Sequence, residues 1–304
     1  MSSRLSELAK RNEEIAGRGS YRVADGTEVV IRDWLAAAQD GTVSYPPDWT
    51  GADAHVDVHA HVHARVHAHV HREADVVADA DADAVAERSG GPVVEVTAEG
   101  SITAARRLLR EHGDGAAVGV LNFASARNPG GGYLRGARAQ EEDLCRSALL
   151  YSCLLGAPDY YAAHRASSDL RYSHRVVFSP GVPVIRDERG ELLEQPYRVD
   201  FLTSPAPNAG ELRARSQSSP AELAELLAER ARRVLAVAAE HGVRQLVLGA
   251  WGCGVFRNDP VQVAEAFAVA LASHGSAFER VVFAVWDRSP QSANRAAFTA
   301  RFGG

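Results

Sequence analysis

Three consecutive glycines, Gly130, Gly131 and Gly132, close an apolar stretch. Seven residues separate them from Gln140, Glu141 and Glu142, which open a helix-like run. Glycine puts no Cβ between the backbone and a ligand, so a triplet can close on a diphosphate. A carboxylate beside such a cradle can do acid–base chemistry on what the diphosphate carries. The two features together suggest a nucleotide-diphosphate-sugar site with a catalytic acid. The plainer reading of the acidic pair is favourable charge at a helix N-terminus. On a regular helix the two side chains diverge by about 100°, so they can face one atom only at the helix entry. The glycine triplet at fixed distance, with Gln140 in front of the pair, favours the chemical reading.

A second glycine-rich loop, Gly249-Ala-Trp251-Gly252-Cys253-Gly254-Val255-Phe256-Arg-Asn258, follows the apolar run Leu246-Val247-Leu248. It leads into a helix that Asp259 can cap and Pro260 can open. The first loop, from Asn122 through Asn128 to Gly132, likewise follows an apolar strand. If the two strands are parallel members of one sheet, both loops share its carboxyl edge. They can then hold a diphosphate from two sides, through backbone N–H groups and a helix N-terminus. Neither loop fits Gly-x-Gly-x-x-Gly or the P-loop pattern. Trp251 and Phe256 read either as core packing or as an aromatic wall for a ribose. The place of Phe256 beyond the glycines favours the wall for that residue.

The elements that must position these loops are legible in outline. Residues 3–17 read as a helix that Gly17-Arg18-Gly19 ends, Val29–Ile31 as a short strand, and Asp33 as the opening of a second helix. From Val93 the pattern alternates. Strands are expected at Val93–Thr97, Ala117–Leu121, Arg175–Phe178, Tyr197–Leu202, Gln245–Leu248 and Val281–Trp286. Helices are expected from Ser101, as cap, to His112, and over Glu141–Leu155, Ala221–Glu240, Pro260–Ser273 and Ser289–Phe302. Such alternation predicts an α/β fold, a three-layer α/β/α domain on a largely parallel sheet, with ligands at the carboxyl ends of the strands. Residues 1–50 are expected as a small N-terminal helical extension, 51–92 as a low-complexity insert and 93–304 as the main domain.

The 304 residues are 46% hydrophobic, enough for a sizeable core. No apolar run nears the roughly 20 residues that span a bilayer. The amphipathic N-terminus lacks a secretory apolar core, so a cytoplasmic location and no membrane partner are expected. Cys145, Cys153 and Cys253 are odd in number and form no Cys-x-x-Cys pair, against a disulfide framework or structural zinc. A net charge of −6 argues against broad polyanion binding, and no direct DNA binding is expected. A phosphate polymer would have to be gripped locally, by backbone amides and a few arginines. The insert carries seven of the twelve histidines, from His55 to His71, all at odd positions. An extended chain would put them on one face, where they could take a transition metal. No carboxylate or cysteine is placed to complete a coordination sphere, so the tract reads as a surface insert without catalytic role. No metal or other cofactor is expected.

At this point the chain resembles the poly(ADP-ribose) glycohydrolases. The resemblance rests on Gly130-Gly131-Gly132, seven residues, then Gln140-Glu141-Glu142. The surrounding Asn122-Phe-Ala-Ser and Asn-Pro-Gly-Gly-Gly, with Gly249-Ala-Trp-Gly-Cys-Gly-Val-Phe-Arg-Asn-Asp, are similar to the compact bacterial branch. It covers about residues 93–304, and the N-terminal helices are similar as well, whereas the histidine-rich insert departs from the family pattern. The resemblance implies a macrodomain fold with a mixed, largely parallel sheet. It implies hydrolysis of the ribose–ribose O-glycosidic bond of poly(ADP-ribose), from the chain end, releasing ADP-ribose. Glu142 would then be the catalytic acid/base, and Glu141 would bind ribose hydroxyls and orient the linkage. Gly130, Gly131 and Gly132 would make room for diphosphate and distal ribose. Gly252, Cys253, Gly254 and Val255 would form the second phosphate loop and Phe256 would pack on the terminal ribose. Gln140 and Asn128 would add substrate contacts. The implied partners are poly(ADP-ribose) or ADP-ribosylated proteins. The competing readings are a hydrolase of mono-ADP-ribosylated proteins and a reader macrodomain that binds ADP-ribose without cleaving it.

Overall fold

The computed structural model describes residues 3–50, 91–113 and 117–303. The insert expected at 51–92 lies, up to residue 90, outside the described residues, and so does the histidine tract. Strands whose successive side chains are all apolar need cover on both faces. Strand β8 (Gln245–Leu248) is buried throughout: Leu246 and Leu248 join one apolar cluster and Val247 the other. Strand β9 (Arg280–Ala284) divides in the same way, with Val281 and Phe283 on one side and Val282 and Ala284 on the other. The long helices α8 (Pro220–Glu240), α9 (Pro260–His274) and α10 (Ala293–Phe302) cover the first face. Helices α1 (Ser3–Arg18), α2 (Arg32–Asp40), α3 (Ser101–His112) and α4 (Gln140–Ser147) cover the second. This is the expected three-layer α/β/α arrangement.

Among the described residues the sheet has seven strands in the order β3 (Val43–Tyr45), β6 (Val176–Arg186), β7 (Leu192–Ser204), β5 (Val118–Phe123), β8, β9 and β4 (Val93–Thr97). The run from β7 to β4 is parallel, while β6 is antiparallel to both of its neighbours. Strands β5 and β8 are adjacent and parallel, so the two glycine-rich loops leave the sheet side by side at its carboxyl edge. A separate two-stranded ribbon, β1 (Ser20–Arg22) and β2 (Glu28–Val30), follows α1.

The structure departs from the sequence reading in four places. First, residues 1–50 are more than a helical extension, because β3 forms the sheet's edge strand on β6 and α1 and α2 share the main core. Second, the single helix expected over Glu141–Leu155 is two, α4 and α5 (Leu150–Leu154). Ala148 between them is extended and bridges Val184, and the Leu149 N–H donates to Pro183 O at 3.0 Å. Third, the strands expected at Arg175–Phe178 and Tyr197–Leu202 are longer and form one hairpin, β6 and β7, that continues past Pro180, Gly181 and Pro183. A register shift between Ser179 and Val182 accommodates Pro180 and Gly181, while Pro183 pairs in register with Arg198. Fourth, α3 starts after Gly100, and Ser101 makes no cap hydrogen bond. The short helices α6 (Pro158–Arg165) and α7 (Ala209–Ala214) were not legible as helices.

Candidate active site

The penultimate residue of strand β5 is Asn122, a polar residue fully buried after an apolar run. The chain then makes the glycine turn and re-enters as α4, whose first turn carries Glu141, Glu142 and Asp143. Gln140 joins the two ends. Its Oε1 accepts the Phe123 N–H at 2.8 Å, and its Nε2 donates to Leu121 O at 2.8 Å and Ser101 Oγ at 3.1 Å. The amide is thus committed to the fold. These bonds fix where α4 begins.

The two glutamates are 2% and 8% exposed, yet differently tied. Glu141 spends both oxygens on the protein: Oε2 accepts the Ser125 N–H at 2.7 Å and Oε1 accepts from Asn122 Nδ2 at 3.3 Å. Burial pushes its carboxyl up to about 8 against these hydrogen bonds, and the neighbouring Glu142 adds to the rise. Glu142 anchors one oxygen only, Oε1, on the Gly132 N–H at 2.8 Å. Its Oε2 is buried and has no protein partner among the described residues. An acceptor in that position is satisfied by water or by a ligand.

The glycine triplet has a steric reason. Gly131 has φ +59°, and a Cβ there would lie 2.6 Å from Glu142 Oε1 and 3.1 Å from Glu141 Oε2. No L side chain fits the conformation or the gap, so the backbone presses directly on both carboxylates. Tyr133 follows the triplet and is buried, its hydroxyl donating to Ala9 O and Glu13 Oε1 of α1, both at 3.2 Å. Asn12 of the same helix reaches the far end of α4, where its Nδ2 donates to Arg146 O at 2.8 Å and Cys145 O at 3.3 Å. Arg186 of β6 holds Asn12 through Nε to Oδ1 at 2.7 Å. Asn12 lies more than a hundred positions from the motif, so local spacing carried no signal for it.

The second loop is tied to the end of β7. Trp251 is 1% exposed and its indole N–H donates to Ser204 O at 3.1 Å, so it packs in the core. Asn258 Nδ2 donates to Pro207 O at 2.9 Å and Gly252 O at 3.1 Å. A Cβ on Gly252, where φ is +68°, would strike Ala206 Cβ at 2.4 Å. The backbone N–H groups of Gly254, Val255 and Phe256 have no protein acceptor among the described residues, and Gly254 and Val255 are exposed. Three successive amide donors are thus left open to a ligand beside a helix start. The first turn of α9 is less available than expected, because the Asp259 carboxylate already accepts the Val261 N–H at 2.9 Å. Burial pushes the Cys253 thiol up to about 12, so it is no nucleophile. Phe256 is half-buried with its ring 5.9 Å from Tyr172, and Asn128 is exposed. Among the described residues no cluster of His, Cys, Asp or Glu is arranged to hold a metal ion, and no helix is long and apolar enough to cross a membrane.

A buried carboxylate pair held by one glycine-rich loop, with open amide donors on the adjacent loop, is a site of the α/β/α type suited to a phosphorylated ligand and to acid–base chemistry. The comparisons with known proteins are more specific. A family model described as microbial-type PARG, catalytic domain, matches residues 9–187, and the chain belongs to that family. Poly(ADP-ribose) glycohydrolase from Thermomonospora curvata is 43% identical, covers 99% of this chain and 100% of its own, and superposes with a TM-score of 0.82. The same enzyme bound to the inhibitor ADP-HPD gives 42% identity over 99% and 100%, with a TM-score of 0.81. Poly(ADP-ribose) glycohydrolase from Deinococcus radiodurans in complex with ADP-ribose gives 40% identity, 90% and 98% coverage and a TM-score of 0.71. Among curated proteins none matches.

Proposed function

We propose that this chain is a poly(ADP-ribose) glycohydrolase in which Glu142 is the catalytic acid/base and Glu141 a ribose-binding, orienting partner. The family membership supports the activity. One observation carries the division of labour: Glu142 Oε2 is the only carboxylate oxygen of the pair without a protein partner among the described residues. Glu142 donates its proton to the departing ribose oxygen as the C1″–O bond breaks and an oxocarbenium-like centre forms. The resulting carboxylate then takes a proton from water as that water attacks C1″, which restores the acid. Gly130, Gly131 and Gly132 admit the distal ribose and diphosphate. Gly252 and Cys253 shape the second loop, and Gly254, Val255 and the Phe256 amide face the phosphates. The Phe256 ring packs on the terminal ribose, and Asn128 is a ribose contact at the loop's outer side.

Replacing Glu142 with Gln keeps its size and removes the proton. Release of ADP-ribose from purified polymer is expected to fall by about 10²–10⁴-fold, the usual worth of a positioned acid/base. Turnover near that of the wild type would defeat the assignment. Monomeric ADP-ribose as the first product supports action from the chain end. Preferential release from a mono-modified protein would favour the mono-ADP-ribosyl hydrolase reading, and tight binding of ADP-ribose without release from any substrate the reader.

A further inference from the structure

The first loop does not end its charge at the glutamates. Arg127 lies two residues beyond Ser125, whose N–H sits on Glu141 Oε2. Two residues of chain reach at most about 7 Å, so the Arg127 backbone stays close to the loop that holds Glu141, while its guanidinium reaches out to Ser167 O. An open groove of about 490 Å³ begins there, lined by Arg127, Arg165 at the end of α6, and Arg215 after α7. Ser167 and Ser168 lie between them, and no carboxylate is among its lining residues. Arg127 and Arg165 donate to backbone carbonyls, Arg127 to Ser167 O and Arg165 to Arg127 O, both at 2.9 Å, so neither charge is neutralised by these bonds. The Arg127 Nε is buried without a partner. Arg215 is held by an exposed pair with Glu211 at 3.0 Å, which water screens. A chain of net charge −6 therefore gathers three guanidinium groups in one groove, entered from the first glycine-rich loop through Arg127.

We propose that this groove binds the diphosphate of the polymer unit on the leaving side of the scissile bond. It would act as a second subsite, which makes the enzyme prefer polymer over substrates lacking that unit. The inference rests on the glycohydrolase reading of the site. Guanidinium is suited to it, because its planar fork matches phosphate oxygens. The leaving oxygen takes its proton at Glu142, and the groove opens on the loop whose Ser125 N–H holds the neighbouring Glu141, so the next diphosphate meets arginine rather than solvent. Free ADP-ribose ends at the scissile position and does not reach the groove.

The test compares the double variant Arg165→Gln/Arg215→Gln with the wild type on two substrates, long poly(ADP-ribose) and an aryl glycoside of ADP-ribose whose leaving group carries no phosphate. With two guanidinium groups removed from the diphosphate, kcat/KM on polymer is expected to fall about tenfold at low salt. Its log–log salt dependence becomes shallower by about 1.4, at about 0.7 per neutralised phosphate. The aryl glycoside is expected to react as before. Equal loss on both substrates, or an unchanged salt slope on polymer, overturns the subsite. The same substitutions in a Glu142→Gln background, read as polymer affinity against ADP-ribose affinity, keep the two readings apart. If the wild type binds polymer through these arginines but releases nothing, the hydrolase reading falls and the groove stands. If polymer affinity ignores the arginines, the groove falls whatever the activity.

Discussion

Glu141 and Glu142 are neighbours in sequence, and what separates them is the number of protein donors each one meets. Glu141 faces the inside of the first loop and is desolvated with both oxygens bonded. Its raised pKa has a consequence for stability. The folded state keeps the Glu141 proton up to about pH 8, whereas an unfolded glutamate releases it near about 4.3. Between those values the folded state binds more protons, so stability falls as pH rises, by up to about 5 kcal/mol at about 1.36 kcal/mol per unit. Glu141→Gln has no such proton to lose. Whatever fixed cost the lost acceptor carries, the Tm of the variant is expected to gain on that of the wild type from about pH 5 to about pH 8. Thermal unfolding across that range checks this, and parallel curves would mean that Glu141 is ionised throughout. The spacing of the motif pointed to both glutamates, but it could not say which oxygen is left free. That depends on Asn122 and Ser125, brought to Glu141 by the fold.

At the scale of elements, α4 is held at both ends. Gln140 fixes its start on β5, and Asn12 of α1 takes the carbonyls of Cys145 and Arg146 that the helix cannot satisfy itself. Helix α1 also anchors Tyr133, one residue after the Gly132 that holds Glu142. The N-terminal helix is therefore the back wall of the active site. Asn12→Ala leaves two buried carbonyls and the Arg186 Nε without a partner, a cost of about 1–3 kcal/mol for each buried group left unpaired. A small displacement of α4 is expected to lower kcat about tenfold or more. ADP-ribose affinity, measured by calorimetry, should change far less, because the phosphate loops are untouched. A variant with reduced Tm but unaltered kcat would make Asn12 structural only. The strands and long helices were legible because period 2 and period 3.6 record which side faces the core. The break at Ala148 was not, since Ala148-Leu149 is helix-compatible in composition. Only the pairing with Val184 and Pro183 on β6 decides it.

Across the whole molecule, β3 and β4 are consecutive in the described chain yet occupy opposite edges of the seven-stranded sheet. The gaps between its strands add up to about 29 Å, which the residues between Tyr45 and Val93 must bridge. Arg233 of α8 pins the first part of that path, donating to Pro46 O and to Trp49 O. Direct excision of residues 51–90 leaves a link too short for the crossing, and is expected to lower Tm sharply by pulling β3 or β4 from its edge. Replacing the same residues with a Gly/Ser linker of about 20 residues, ample for that span, is expected to preserve both Tm and ADP-ribose release. Loss of activity in the linker form would give the insert a role in catalysis. The amino-acid sequence by itself determined the α/β alternation, the two glycine loops and the acidic pair, because each is written in neighbouring residues. It did not determine that residues 1–50 complete the sheet and brace α4, or that arginines from three separate segments line one groove. Those are contacts between distant parts of the chain, and only burial of a common core brings them together.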